Sequence, residues 1–264
     1  MTRPVPVFMY HHVNRHRGDL VTVPPEVFEG QMRHLSAAGC ETLSLDQLAA
    51  YMEGRYRPRR RAVVVTFDDG WIDNYLYAFP ILRAHTIKAA VFIVTGTASP
   101  ARDEATIAAA HVPTHRESKA LVREGRASLA TLSWDLMGEM ADSGLVEFQS
   151  HTKTHRECHH LNEEELYDEL SGSRQSIEQN LGRPCRHLCW PRGRFNERAV
   201  RVARDVGYQA LFTTRPGVVR PGGDPFAVNR LVVKDSIPWF KARVSIYTSP
   251  LLAAAYLRLR GKVR

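Results

Sequence analysis

Short apolar runs alternate along this chain with stretches whose apolar residues recur every three or four positions, the pattern of strands alternating with helices packed on a sheet. Val5 to Tyr10 reads as a first strand, followed by a polar loop through Asp19. Val27 to Ala38 reads as a helix with Phe28, Met32 and Leu35 on one side, ended by Gly39. Ser44 caps a short helix bearing Leu45, Leu48, Ala49 and Met52. Ala62 to Phe67 is almost wholly apolar, as a strand covered on both faces must be. Asn74 to Ala84 predicts a helix kinked or restarted at Pro80, and a strand over Ala89 to Val94 follows. Further helices are predicted from Ser133 through Asp142, from an Asn162/Glu165 capping box through Leu166, Leu170 and Ile177, and near Glu197 to Val206. Further strands are predicted at Val146–Gln149, His187–Trp190, Gln209–Thr213 and Val228–Val233.

Such β–α alternation implies a mostly parallel sheet, closed into a barrel or wound open. With roughly seven or eight strands and no glycine-rich dinucleotide fingerprint, the expected fold is a distorted, TIM-like (β/α) barrel, an α/β architecture that gathers functional side chains at the carboxyl ends of its strands. The polar stretch 98–130, weakly periodic, reads as an insertion, either a lid or a plain surface excursion.

Two adjacent carboxylates, Asp68 and Asp69, stand where the apolar strand ends, just before Gly70. Burying them is costly unless a metal or another strong partner holds them, or unless both cap the next helix. Neighbours in extended backbone point to opposite faces, so a turn is needed to bring both to one site, and Gly70 can supply it. If one carboxylate ligates a metal, the other is free to take a proton. Downstream, His151-Thr-Lys-Thr-His155 offers two imidazoles, on one helical face or on a curled loop. Two imidazoles and a carboxylate suit zinc and leave positions open for water and substrate. Ser150, Thr152 and Thr154 could orient the rings, and His159 and His160 are the rival ligands.

The 264 residues, 44% apolar, suffice for one sizeable core. A net charge of +8 fits a hydrated surface or attraction to an anionic partner. The arginine run 57–61 lacks interleaved aromatics and any nucleic-acid-binding framework, so no nucleic-acid partner is expected. Cys40, Cys158, Cys185 and Cys189 form no CxxC pair and read as free thiols. The chain shows no secretory leader and no stretch near the roughly 20 apolar residues of a membrane span, which favours a cytoplasmic location or one peripheral to the inner membrane. The basic, apolar tail 241–264 fits either a helix packed on the barrel or peripheral contact with an anionic membrane.

The two motifs, Thr66-Phe67-Asp68-Asp69-Gly70 and His151-Thr152-Lys153-Thr154-His155, resemble those of the polysaccharide deacetylases, carbohydrate esterase family four, also called the NodB-homology family. The resemblance implies a catalytic domain over 1–240, with Asp68 as base and Asp69, His151 and His155 around a divalent ion, most simply Zn²⁺. It implies removal of N-acetyl groups from an N-acetylhexosamine glycan, with release of acetate. A small amide or ester as substrate, or a catalytically idle carbohydrate-binding protein, are the alternatives. Where the family's third motif usually has Arg-x-Pro-Tyr-Gly, this chain has Cys189-Trp190-Pro191-Arg192-Gly193, which assigns Pro191, Arg192 and Gly193 to an oxyanion or substrate loop and leaves the base without its usual arginine. Arg230 could replace that charge from another strand. No late Leu-His-Asp motif supplies an acid, but Met9-Tyr10-His11-His12-Val13 resembles the amino-terminal signature of the poly-β-1,6-N-acetylglucosamine deacetylase subgroup, as do Val23–Phe28 and Leu132–Trp134. That places the acid on His11, with His12 as its rival.

Overall fold

The computed structural model describes residues 2–101 and 111–261. Part of the predicted insertion, residues 102–110, and the last three residues of the tail lie outside that range. The strands run β1 (Val7–Tyr10), β2 (His12–Val13), β3 (Thr22–Val23), β4 (Glu41–Thr42), β5 (Ala62–Asp69), β6 (Ala89–Ile93), β7 (Val146–Ser150), β8 (His187–Cys189), β9 (Ala210–Phe212) and β10 (Leu231–Val232). The main sheet follows the order β10-β1-β5-β6-β7-β8-β9, with β4 on the flank of β5, and its neighbours pair in parallel. One parallel bridge, Phe212 to Val228 just before β10, draws the two ends of this curled sheet together. The result is the distorted (β/α) barrel expected, held at that seam by a single bridge rather than a full ladder.

Strand alternation sorts the core into an inside and an outside. Val63, Val65 and Phe67 of β5 face the helices with Phe8 and Tyr10, whereas Val64 faces the barrel interior with Val7, Ala90, Phe92, Cys189 and Phe212. Helix α2 (Leu45–Met52) closes the far end of that interior with Leu45, Leu48 and Tyr51, and its Ser44/Gln47 capping box fixes where it starts. The same alternation sends Thr66 and then Asp68 inward at the other end.

Helix α1 (Pro25–Ala37) packs Phe28, Met32 and Leu35 on the sheet. At Pro80 the chain restarts rather than kinks: a single π-helical turn, Asn74–Ala78, precedes α3 (Phe79–His85), so the proline sits in a first turn where its missing N–H is harmless. Within the stretch 98–130 a Thr114/Glu117 capping box opens α4 (His115–Arg123). Then come α5 (Trp134–Asp142), α6 (Glu163–Leu181) and α7 (Glu197–Val206). The last predicted strand shrinks to Leu231–Val232, because the Arg230 N–H bonds the Arg215 carbonyl and its side chain turns into the barrel. Helix α8 (Ile237–Tyr247) crosses residue 240 and buries Phe240, Val244 and Tyr247, with Phe240 against Phe8. Helix α9 (Pro250–Gly261) buries Ala253 but leaves Leu251 and Leu252 exposed. Among the described residues no helix is long and apolar enough to cross a membrane, and the four cysteines are free.

Candidate metal and active site

Strand β5 delivers Asp68 into the barrel mouth, and the next residue breaks the alternation. Asp69 has φ of 73° and Gly70 of 75°, so two successive left-handed residues turn the chain and swing Asp69 to the same end as Asp68. At Gly70 a side chain would also meet Ile93 Cγ2 at 2.9 Å. The turn therefore begins one residue earlier than the sequence suggested, at an aspartate that bears the left-handed strain itself.

The two histidines lie on a curled loop, not on a helix. Thr152 and His155 both have left-handed φ, 69° and 61°. The loop closes on itself through Thr152 Oγ1, which accepts the His155 N–H, and Ser150 Oγ, which accepts the Thr152 N–H. Glu169 of α6 clamps it from behind, accepting the N–H groups of Lys153 and Thr154 at 3.1 and 2.8 Å and the Thr154 hydroxyl. His151 Nδ1 bonds the Cys189 carbonyl at 2.8 Å, which fixes the proton there and leaves Nε2 with a free lone pair.

Asp69 Oδ1 lies 3.5 Å from His151 Nε2 and 3.4 Å from His155 Nε2. For a tetrahedral ion bound at ~2.0–2.1 Å, ligand atoms stand roughly 3.3 Å apart, so the triad fits a small divalent cation. Burial lowers the pKa of His151, favouring the neutral ring a ligand must be. Burial opposes ionisation of Asp69, yet the imidazoles of His11, His151 and His155 hold it below its ordinary value. A second cluster, Asp68 with His151 and Cys189, has comparable spacing but other chemistry. Both Asp68 oxygens are engaged by Arg230, and burial pushes the Cys189 thiol far above its ordinary pKa, which keeps it from serving as thiolate.

Arg230 Nη1 and Nη2 reach Asp68 Oδ1 and Oδ2 at 2.7 and 2.8 Å, and Nη2 contacts Cys189 Sγ at 2.9 Å. Its guanidinium also lies over the Phe92 ring and donates to the Thr213 carbonyl. Burial favours a neutral Asp68, but Arg230 outweighs it and keeps the carboxyl far below the usual range. A guanidinium thus stands at this carboxylate, delivered from the residue just before β10.

His11 Nε2 stands 3.9 Å from Asp68 Oδ2 at the edge of the site, and burial lowers its pKa against the pull of Asp68 and Asp69. Asn74 Nδ2 holds the His11 carbonyl at 2.9 Å. His12 points elsewhere: its ring stacks on Trp71, its Nδ1 meets Asp73 at 2.6 Å and its Nε2 meets His115 at 3.0 Å. Sequence reading missed Asp73, Trp71 and His115; Trp71 Nε1 donates to Asp69 Oδ2 at 3.0 Å. Pro191–Gly193 forms a tight turn with Arg192 at φ of 56°, and the Arg192 side chain reaches Glu157 at 3.1 Å. Together Asp69, Trp71, Thr154, His155, Arg192 and residues of α4 line a cleft of 340 Å³. His159 and His160 stack on each other beside Glu157, in a separate cluster.

A model of the polysaccharide deacetylase family matches residues 55–211. The chain is 27% identical over 229 residues to YxkH of Bacillus subtilis, a match covering 87% of this chain and 71% of that one. It is 25% identical over 224 residues to the poly-beta-1,6-N-acetyl-D-glucosamine N-deacetylase of Staphylococcus epidermidis, covering 81% and 68%. The fold matches that of the Streptococcus pyogenes deacetylase PplD in complex with acetate, with a TM-score of 0.77 at 22% identity over 95% of this chain and 100% of that one. IcaB from Ammonifex degensii matches with a TM-score of 0.73 at 23% identity, over 92% and 97%.

Proposed function

The chain belongs to the polysaccharide deacetylase family, and from that premise we propose that it hydrolyses the N-acetyl group of an N-acetylhexosamine in a glycan or oligosaccharide, releasing acetate and a free amine. The observation that carries this reading is the division of labour between neighbours: Asp69 converges with His151 and His155 while Asp68 is held ionised beside them by Arg230.

Asp69, His151 and His155 would hold a divalent cation, which we take to be Zn²⁺; bound there, it would supply Lewis acidity and acidify water. In this reading Asp68 takes the proton of the attacking water through a lone pair that Arg230 leaves free. The low pKa of Asp68 makes it a poor final resting place for that proton. That proton passes on to His11 Nε2, 3.9 Å away, on a ring whose lowered pKa leaves it neutral and able to accept, and from His11 to the departing nitrogen as the C–N bond breaks. The Pro191–Gly193 turn is the proposed oxyanion loop, with the Arg192 N–H as donor to the carbonyl oxygen, since proline has none and the Gly193 N–H bonds the Trp190 carbonyl. His12 supports the site through Trp71 rather than as acid, since its two ring nitrogens face Asp73 and His115.

We also assign the catalytic unit to residues 1–240, with 98–130 inserted in it. The amino-terminal Tyr10-His11 pair and the similarity to the Staphylococcus enzyme support a poly-β-1,6-N-acetylglucosamine-like substrate. The exposed Leu251 and Leu252, with Arg258 one to two turns on, support peripheral contact of the tail with an anionic membrane. Acetate release is measured across N-acetylglucosamine oligomers, chitin fragments and peptidoglycan pieces, alongside bound metal. Release from any of these that is lost in Asp68→Asn supports the assignment. Release only from small acyl amides or esters supports the alternative substrate, and metal binding with no turnover on any of them supports the idle carbohydrate binder.

A further inference from the structure

Helix α4 carries His115, Lys119 and Arg123 at spacings of four, which places them one above another along one face. The first of these is anchored against the site. Asp73 accepts the Nδ1–H of buried His12, so His12 Nε2 can accept the Nδ1–H of His115 at 3.0 Å. Burial and the nearby Lys119 press the pKa of His115 down to about 4, in keeping with a neutral donor. Lys119 and Arg123, with Val122 between them, then line the same cleft as Asp69, Trp71 and His155, and Arg192 lines it as well.

The described acidic residues of this region have other partners. Glu117 turns back to Thr114 and His111, and Glu124 lies by Arg126. Glu157 pairs with Arg192, and Asp69 belongs to the cation triad. Among the described residues no carboxylate is paired with Lys119 or Arg123. Lys119 and Arg123 can give a neutral sugar only hydrogen bonds, whereas an anion in the cleft also gains their Coulomb attraction.

We propose that α4 is an anion-recognition wall: Lys119 and Arg123 receive a phosphate or carboxylate on the substrate, next to the sugar whose acetamide is hydrolysed. This rests on the deacetylase reading and narrows its substrate class to acidic amino-sugar glycans. It also gives the inserted segment a specificity role, since the wall stands on α4 and α4 is docked on His12.

The test uses the full-length, metal-loaded protein and a matched set: N,N′-diacetylchitobiose, its 1-phosphate and its aldonic acid. Wild-type protein should favour the anionic sugars. In Lys119→Ala/Arg123→Ala the ratio of kcat/KM for anionic over neutral substrate should fall about tenfold, carried by KM, and Lys119→Arg/Arg123→Lys should restore it. Loss confined to the phosphate or to the carboxylate identifies which group the wall receives. A wild-type ratio near one, or a ratio unchanged in the alanine variant, overturns the proposal. Should none of the sugars release acetate, the deacetylase reading fails, and calorimetric titration with diacetylchitobiose 1-phosphate still decides the wall. Affinity about tenfold weaker in the alanine variant supports it, and equal affinity overturns it.

Discussion

Arg230 and Asp68, 162 positions apart in the chain, meet as a bidentate ion pair inside the barrel mouth, with both N–O distances under 3 Å. Neither side chain has appreciable contact with water, so each depends on the other for its charge. Removing one partner of such a pair typically costs about 3–5 kcal/mol, because it strands the other charge. Arg230→Met should therefore shift the urea midpoint strongly downward. Adding Asp68→Asn to Arg230→Met should recover part of the loss, and simple additivity of the two changes would contradict the pairing.

Trp71 reaches the cation triad from outside it, donating its indole N–H to the Asp69 oxygen that faces away from the histidines. Trp71→Phe keeps a ring to stack on His12 but deletes that donor. Affinity for the divalent ion, measured by competition with a chelator, should weaken roughly 10–100-fold. Unchanged affinity would show that Asp69 needs no such orientation.

Glu147 gives a pH signature unrelated to catalysis. Burial, opposed by the Leu45 N–H at 2.7 Å and reinforced by Asp46, raises its pKa from 4.5 to about 7. The folded chain thus holds a proton that the unfolded chain has lost between those values, so stability falls as pH rises from about 4.5 to 7 and levels off above. The penalty at pH 8 is at most about 3 kcal/mol. Glu147→Gln, which still accepts from Leu45, should raise the melting temperature at pH 8 and leave it nearly unchanged at pH 4. An equal shift at both would remove Glu147 as the cause.

Local chemistry made much of the fold legible. The apolar run of β5, the cap at Ser44, the capping box at Asn162 and the alternation of patterns depend on neighbours in sequence, and the structure has them where the sequence puts them. The paired Asp and His motifs were legible for the same reason. What sequence reading missed depends on partners far along the chain. The Asp73–His12–His115 link joins positions up to 103 residues apart, and the Glu169 clamp acts across the gap between a loop and a helix. Glu169 did leave a trace, as a lone carboxylate beside Leu166 and Leu170 on the apolar face of α6. The strained backbone left no trace at Thr152 and only a faint one at Asp69 and His155, because Asp and His favour such φ values more than most residues yet adopt them only occasionally.

In the proposed site Asp69, His151 and His155 hold a single divalent ion and Asp68 does not. The direct test is equilibrium dialysis against Zn²⁺ followed by elemental analysis of wild type, His155→Ala, Asp69→Ala and Asp68→Asn. One ion per chain is expected in wild type and in Asp68→Asn, with acetate release lost in the latter, and loss of the ion is expected in the other two variants. An ion retained in both Asp69→Ala and His155→Ala, or lost on replacing Asp68 alone, would contradict that site.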